Sequence, residues 1–140
     1  RAARDAARKE GVPIVLNARC DVFFLRHDDE ATRFGATVER CKAYLDAGAD
    51  CVYPFGLRDP ETIEAFVAAV GAPVNVTGRP GMPDVAALER MGVARITIAS
   101  ASTLVAMSAI RKLAVELRAT GNLGTLTAEI THPEAQKLFS

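Results

Sequence analysis

The segment 17–21, with the sequence NARCD, holds residue types suited to binding a small acid. Side chains alternate along a strand, so Asn17 and Arg19 would point to one face, where burial is costly unless each finds a partner. The planar guanidinium of an arginine grips a carboxylate with two parallel hydrogen bonds. Arg19, flanked by Asn17 and Asp21, is therefore a candidate substrate-binding residue. The alternative is that Arg19 pairs with Asp21 and is structural.

Three further segments follow apolar runs in the same way. Residues 53–57 (YPFGL) are apolar and predict a structural turn more than a pocket lining. In residues 77–83 (TGRPGMP), glycines and prolines shape a loop in which Thr77 and Arg79 could meet an anionic substrate, although neither GxGxxG nor a P-loop is present. Residues 100–102 (SAS) precede a predicted helix, where a serine N-cap is expected before any anion site.

Other polar residue types point to no catalytic or metal site. Three cysteines, an odd number without CxxC spacing, support neither a disulfide framework nor a zinc site and are expected to be small buried packing residues. The acids 28–30 precede a helix and are expected to complement its dipole instead of holding a metal, while His27 and His132 are expected to be solvated. No Ser-His-Asp or Cys-His arrangement can be assembled, so we assign no catalytic and no metal-binding residue.

The candidate segments must be positioned by alternating strands and helices. Four apolar runs rich in β-branched residues and bounded by Gly or Pro predict buried parallel strands at 13–19, 50–53, 73–77 and 94–99. Helices are predicted at 31–47, 59–70, 84–91 and 102–120, and a helical stretch opens the chain. In parallel α/β folds function collects at the carboxyl ends of the strands, which is where the candidate segments fall.

The order of elements is one helix, four βα units and a tail. A closed (β/α)8 barrel needs eight strands and ~250 residues, so four units predict either a small open doubly wound sheet or half of a TIM barrel. The opening inside a helix, with Arg1 instead of Met, favours the half-barrel of a longer protein. We assign residues 1–121 to the half-barrel. Residues 122–140 form a predicted helical tail, which packs on its own domain or exchanges with a neighbouring subunit.

The composition is that of a soluble globular domain, with 49% apolar and 24% charged residues among 140. Lys plus Arg equals Asp plus Glu at 17 each, which gives no electrostatic reason to expect a nucleic-acid or membrane partner. No run approaches the ~18 apolar residues of a membrane span, and no signal peptide opens the chain. A cytoplasmic location is therefore expected.

The strings VLNARCDVF, ERCKAYLDAGADCVYPFGLRDPETI, PVNV and GVARITIAS together resemble the isocitrate lyase and phosphoenolpyruvate mutase superfamily. They are similar to the carboxyl-terminal half of that family's barrel, strands five to eight, over essentially the whole chain. The most specific part is 18–21 (ARCD), which is similar to the family's Ala-Arg-Thr-Asp at the end of strand five. The resemblance implies a Mg²⁺-dependent lyase or mutase that breaks or forms a C–C or P–C bond in small α-oxo or hydroxy acids through an enolate.

The resemblance also implies roles for individual residues. Arg19 matches the arginine that grips the substrate, with Asn17 and Asp21 beside it, and Thr77 falls where the family has a polar group on strand seven. The implied partner is a small carboxylic acid, and the implied assembly is a homo-oligomer, a tetramer in the family.

Two departures from the family pattern narrow the expectation. Isocitrate and methylisocitrate lyases end strand six with Pro-Glu, and here Pro54 is followed by Phe55, which points away from isocitrate lyase activity and toward members with relaxed specificity. The family's metal-binding acids and gating loop belong to the amino-terminal half of the barrel. We therefore expect Mg²⁺ in the full-length enzyme with ligands absent from this chain, which alone should be inactive. The alternative is a non-catalytic half-barrel that binds small acids or serves as an oligomerisation module.

Overall fold

Parallel strands alternate with helices in the computed structural model, which describes residues 1–25 and 29–139. The strands found there are β1 (Asn17–Cys20), β2 (Cys51–Pro54), β3 (Asn75–Thr77) and β4 (Arg95–Thr97). The helices are α1 (Ala2–Lys9), α2 (Val22–Leu25), α3 (Glu30–Asp46), α4 (Pro60–Val70), α5 (Val85–Arg90), α6 (Ala101–Thr120) and α7 (His132–Lys137), with a 3-10 turn at Leu123–Thr125. The α/β architecture with parallel strands is thereby confirmed. The predicted solvated loop at His27 and Asp28 lies outside the described residues.

The strands lie side by side in chain order. β1 pairs in parallel with β2, with Arg19 opposite Tyr53, and β3 pairs in parallel with β4. An isolated parallel bridge between Val52 and Val74 joins β2 to β3. Doubly wound sheets reverse their strand order at a switch point. Among the strands that the structure describes, the order shows no such reversal.

The hydrophobic core lies between one face of the strands and the helices that follow them. It consists of buried side chains from both layers, chiefly Cys20, Val52 and Val76 from the strands, Val74 from the bridge before β3, and Cys41, Ile63, Phe66 and Leu88 from α3, α4 and α5. The three cysteines are buried and have free thiols, as expected for packing residues. Because alternate strand residues fill this core, the polar residues between them are directed to the other face of the strands.

Helix α1 is tied to the strands by Arg4. Its guanidinium donates to the carbonyl oxygens of Ile14 at 3.1 Å and Gly48 at 2.8 Å, and it forms an ion pair with Asp50. The Asp50 carboxylate also accepts from the backbone N–H of Leu16 at 2.7 Å. The Leu16 N–H and the Arg4 guanidinium hold the pKa of Asp50 below its usual value. This cluster fixes the amino ends of β1 and β2, at the far end from the candidate site.

Internal contacts group the chain into two units, Arg1–Ala99 and Ser100–Ser140. The first unit holds all the described strands. In the second, α7 begins with a capping box in which Thr131 and Glu134 bond each other reciprocally, and α6 has exposed apolar side chains, among them Leu104, Val105, Met107 and Ile110. The boundary between residues 121 and 122 that the sequence suggests stays a prediction. No described helix combines the length and the apolar character needed to cross a membrane.

Candidate functional site

Arg19 lies at the carboxyl end of β1, on the face of the strands turned away from the helices. Its neighbour Cys20 is 1% exposed and packs in the core, so alternation sends Arg19 and Asn17 to the opposite face. The Arg19 side chain is 47% exposed. The strand therefore presents a guanidinium to solvent at the end where parallel α/β proteins carry their sites.

Two neighbours hold the Arg19 guanidinium in place. Its Nε donates to Asp21 Oδ1 at 2.6 Å, and its central carbon lies 3.7 Å from the centroid of the Phe55 ring. The first contact is the structural ion pair that the sequence left open, and the second is a cation–π contact. Among the described residues, no side chain or backbone carbonyl accepts a hydrogen bond from the two Nη groups. An arginine carries five N–H donors, so those on Nη are available for a carboxylate.

Thr77 is engaged with Tyr53. The Tyr53 hydroxyl and Thr77 Oγ1 lie 2.5 Å apart, and both residues are buried. Tyr53 is the last but one residue of β2, and Thr77 ends β3. The Tyr53 ring meets the Phe55 ring edge to face at 5.5 Å between centroids. Thr77 is thus joined to Arg19 through Tyr53 and Phe55, in a continuous series of contacts across β3, β2 and β1.

Two aromatic residues of this site were missed by sequence reasoning. The sequence predicts that Phe55 belongs to a structural turn, and it assigns no role to Phe24. Their ring centroids lie 4.9 Å apart, and Phe24 also lies 6.0 Å from the Arg19 guanidinium carbon. The signal that could have identified Phe55 is its spacing from Tyr53, since residues two apart on a strand share a face.

Two amide side chains lie where strands begin, that of the half-buried Asn17 at the start of β1 and that of the buried Asn75 at the start of β3. The Asn75 Oδ1 accepts from Thr97 Oγ1 at 3.0 Å, whereas Asn75 Nδ2 and Asn17 Oδ1 have no partner among the described residues. Buried polar atoms are bonded in the great majority of native structures. Asn17 was predicted from the sequence as a site residue, and Asn75 was not.

Arg79, like Asn17, is a predicted site residue that no described side-chain contact joins to the others. It is half-buried in the loop after β3, where its carbonyl oxygen accepts from Met82 N at 3.1 Å to close a turn. Within that loop Gly78 approaches β4 so closely that an added Cβ would lie 2.8 Å from a methyl carbon of Ile96. The structure therefore brings Arg19, Asp21 and Thr77 into one series of contacts and leaves Asn17 and Arg79 outside it.

The Cys20 thiol faces away from this site and toward Cys41 of α3. A hydrogen bond from the Cys41 thiol favours the Cys20 thiolate and lowers the pKa of Cys20, while the same bond together with burial raises the pKa of Cys41. Both side chains are almost fully buried. Cys20 therefore contributes to packing and not to the surface that Arg19 presents.

A wide depression on the first unit lies elsewhere, among α2, α3 and α4. It has a volume of about 1130 Å³ and is wide open to solvent. Its lining includes Phe24 and Glu30 but none of the residues predicted to bind substrate. Because Phe24 and Glu30 flank residues 26–28, which are outside the described residues, we draw no functional conclusion from its volume.

The acids of the described residues do not form a metal site. No group of three His, Cys, Asp or Glu side chains is placed to share an ion in that part of the chain. Asp21, the acid nearest to Arg19, already accepts from that guanidinium. Magnesium prefers an octahedral set of oxygen ligands, and these residues do not fit it.

Comparison with known proteins places the chain in a family. The family model described as phosphoenolpyruvate phosphomutase matches residues 1–118. An uncharacterised protein of Mycobacterium tuberculosis is 35% identical over 100 residues, which is 71% of this chain and 37% of that protein. The oxaloacetate decarboxylase of Pseudomonas aeruginosa is 28% identical over 130 residues, 89% of this chain and 44% of the enzyme. The chain therefore spans less than half of these curated relatives.

Solved structures give the same assignment. A protein from Burkholderia cenocepacia J2315, whose assignment as a lyase or mutase is provisional, matches with a TM-score of 0.82 and 34% identity over 97% of this chain and 48% of that one. The 2,3-dimethylmalate lyase structure matches with a TM-score of 0.76 and 29% identity over 99% of this chain and 47% of the enzyme. With the family model covering most of its length, this chain belongs to the phosphoenolpyruvate mutase and isocitrate lyase superfamily, as the residues around Arg19 indicate.

Proposed function

We propose that this chain forms the carboxyl-terminal half of a TIM barrel in a carbon–carbon lyase that acts on small α-oxo or hydroxy carboxylic acids. The observation that carries the proposal is the guanidinium of Arg19, oriented by Asp21 and Phe55 and open at its Nη groups. The superfamily supports the reaction class, since solved relatives include 2,3-dimethylmalate lyase and oxaloacetate acetylhydrolase. The strand order, which follows the chain without reversal, supports the half-barrel.

The chemistry requires a positive group at the position of Arg19. Breaking a C–C bond next to a carbonyl leaves negative charge on an enolate oxygen, and preorganised cationic groups lower the free energy of that charge in the transition state. In this proposal Arg19 binds and orients the acid, Asp21 and Asn17 flank it, and Thr77 and Arg79 are further contacts. We propose that Mg²⁺, which would supply further charge stabilisation, is held in the whole enzyme by residues outside this chain.

The test uses the natural gene product with Mg²⁺ and a panel that includes oxaloacetate and 2,3-dimethylmalate. Release of an oxo acid is followed by mass spectrometry, and Arg19→Ala is compared with Arg90→Ala, which removes an exposed arginine at the end of α5. We expect Arg19→Ala to lower kcat/KM about 10²-fold or more and Arg90→Ala to leave it unchanged. Equal activity of the two variants on a turned-over acid would rule out this role for Arg19.

A second candidate is a non-catalytic module that binds small acids or assembles with copies of itself. The exposed apolar side chains of α6 favour it, because contiguous apolar surface marks an interaction site. The intact mass of the natural gene product separates the two candidates first: a mass near twice that of 140 residues supports the lyase, and a mass near that of this chain supports the module. Light scattering on the same sample tests the proposed homo-oligomer.

A further inference from the structure

We propose that the site selects carboxylic acids that carry an apolar substituent, with Arg19 binding the carboxylate and the aromatic wall formed by Phe24 and Phe55 contacting the substituent. This rests on the proposed function, because it assumes that Arg19 binds the acid. The inference goes beyond the proposed function because it specifies the chemical class of the substituent that the acid carries.

The first support is the fixed position of Phe55. Its backbone N–H donates to the carbonyl oxygen of Cys20 at 2.9 Å, which extends the pairing of β1 and β2 by one residue past the strand ends. The ring is also contacted by the Tyr53 ring, with 5.5 Å between centroids, and by the Arg19 guanidinium, whose central carbon lies 3.7 Å from the centroid. The backbone hydrogen bond and the two side-chain contacts fix the position of the Phe55 ring, so its apolar surface is in place before a ligand binds.

The second support is the close approach that brings Phe24 to Phe55. Gly56 has a φ of +99°, and a Cβ at this position would lie 2.9 Å from Phe24 N and 3.1 Å from Phe24 Cα. Only glycine allows the backbone of α2 to pack against the loop after β2 at this distance. Phe24 as a whole residue remains 54% exposed. The wall therefore has an outer face that a ligand can cover.

The third support is the chemistry at the position of Phe55. An acidic residue at this position would set a charged oxygen beside Arg19, because the present side chain lies against the guanidinium. Phe55 instead offers apolar surface next to a single cation whose Nη groups are open. A second carboxylate laid against the rings would lose hydration without gaining a partner. An alkyl or aryl group in the same place would lose only unfavourable contact with water, worth about fourfold in affinity for each buried methylene.

The experiment measures binding of unreactive acids to the natural gene product by calorimetry, with Mg²⁺ present. The probes are oxamate and its N-methyl, N-ethyl and N-butyl derivatives, which keep the carboxylate and lengthen only the apolar substituent. We expect Kd to fall about fourfold for each added methylene in the wild type until the wall is covered. Phe24→Ala, which removes an exposed side chain of the wall, should flatten the series, so that Kd no longer falls as the substituent lengthens.

Two further variants complete the design. Phe55→Glu should reverse the preference, so that the longest derivative binds less well than oxamate. Phe34→Leu changes an aromatic pair with Phe66 on the helix side of the strands and should leave the series unchanged. A flat series in the wild type, with oxamate binding that Arg19→Ala abolishes, would overturn this inference and leave the proposed function standing. Oxamate binding that Arg19→Ala does not weaken would overturn both.

Discussion

The hydrogen bond between Tyr53 and Thr77 predicts a measurable energetic coupling between β2 and β3. Both side chains are 8% exposed, and their oxygens lie 2.5 Å apart. Tyr53→Phe leaves the Thr77 hydroxyl buried without this partner, and Thr77→Val does the same to the phenol. Each change should therefore lower the free energy of unfolding by about 1–3 kcal/mol. The double variant removes both groups together, so its cost should fall short of the sum of the two by about 1–2 kcal/mol.

The assay is urea denaturation of the natural gene product, followed by the circular dichroism of its helices. Tyr44→Phe is the matched control, because it removes the same phenol oxygen from a half-buried tyrosine of α3. If the single effects of Tyr53→Phe and Thr77→Val simply add, the hydrogen bond does not contribute to stability and the reasoning is refuted. In activity assays Thr77→Val should lower kcat/KM more than Tyr53→Phe does, because only Thr77 is proposed to contact the acid.

Two further predictions concern the supports of the site. The backbone N–H of Leu16 and the guanidinium of Arg4 lower the pKa of Asp50 in the folded state. The stability that this carboxylate contributes is therefore present above its unfolded pKa of about 4, and it is lost as the pH falls through the folded pKa. Unfolding free energies measured between pH 7 and pH 3 should therefore fall less in Asp50→Asn than in the wild type, and identical slopes would contradict this. Gly56→Ala should shift the backbone of α2 and weaken the preference for alkyl-substituted acids. Gly81→Ala, at another positive φ but with open space around it, should affect stability alone. An equal loss of the alkyl preference in both variants would refute the argument that Gly56 is needed to bring Phe24 to Phe55.

The strands show what the sequence could predict and where its local signal ends. All four strands overlap the predicted apolar runs, but β1 (Asn17–Cys20) covers only residues 17–19 of the run 13–19. An apolar run indicates burial, whereas the bounds of a strand depend on backbone pairing. Leu16 makes backbone hydrogen bonds to β2 and the residue before it only through its carbonyl oxygen, which accepts from the N–H groups of Asp50 and Cys51, so β1 begins after it. Alternation correctly separated Arg19 from Cys20 because a strand has a period of two.

The aromatic wall could not be predicted in the same way. Phe24 belongs to a four-residue helix that is too short to show periodicity, and it reaches Phe55 from 31 positions earlier in the chain. Their contact depends on Gly56, whose role is visible only when the backbone of α2 is beside it. A hydrophobic pattern reports which side chains are apolar, but it does not report which distant apolar side chains meet.

The ion pair between Arg19 and Asp21 and the proposed binding role of Arg19 are compatible for a geometric reason. Asp21 takes the Nε donor, and Phe55 covers a face of the guanidinium, so neither contact uses the Nη groups that would grip a carboxylate. A free arginine loses rotamer entropy when it binds a ligand, and an arginine already held at Nε and at its face has less to lose. The ion pair between Arg19 and Asp21 therefore supports the proposed binding role of Arg19, because it holds the guanidinium in place for the carboxylate.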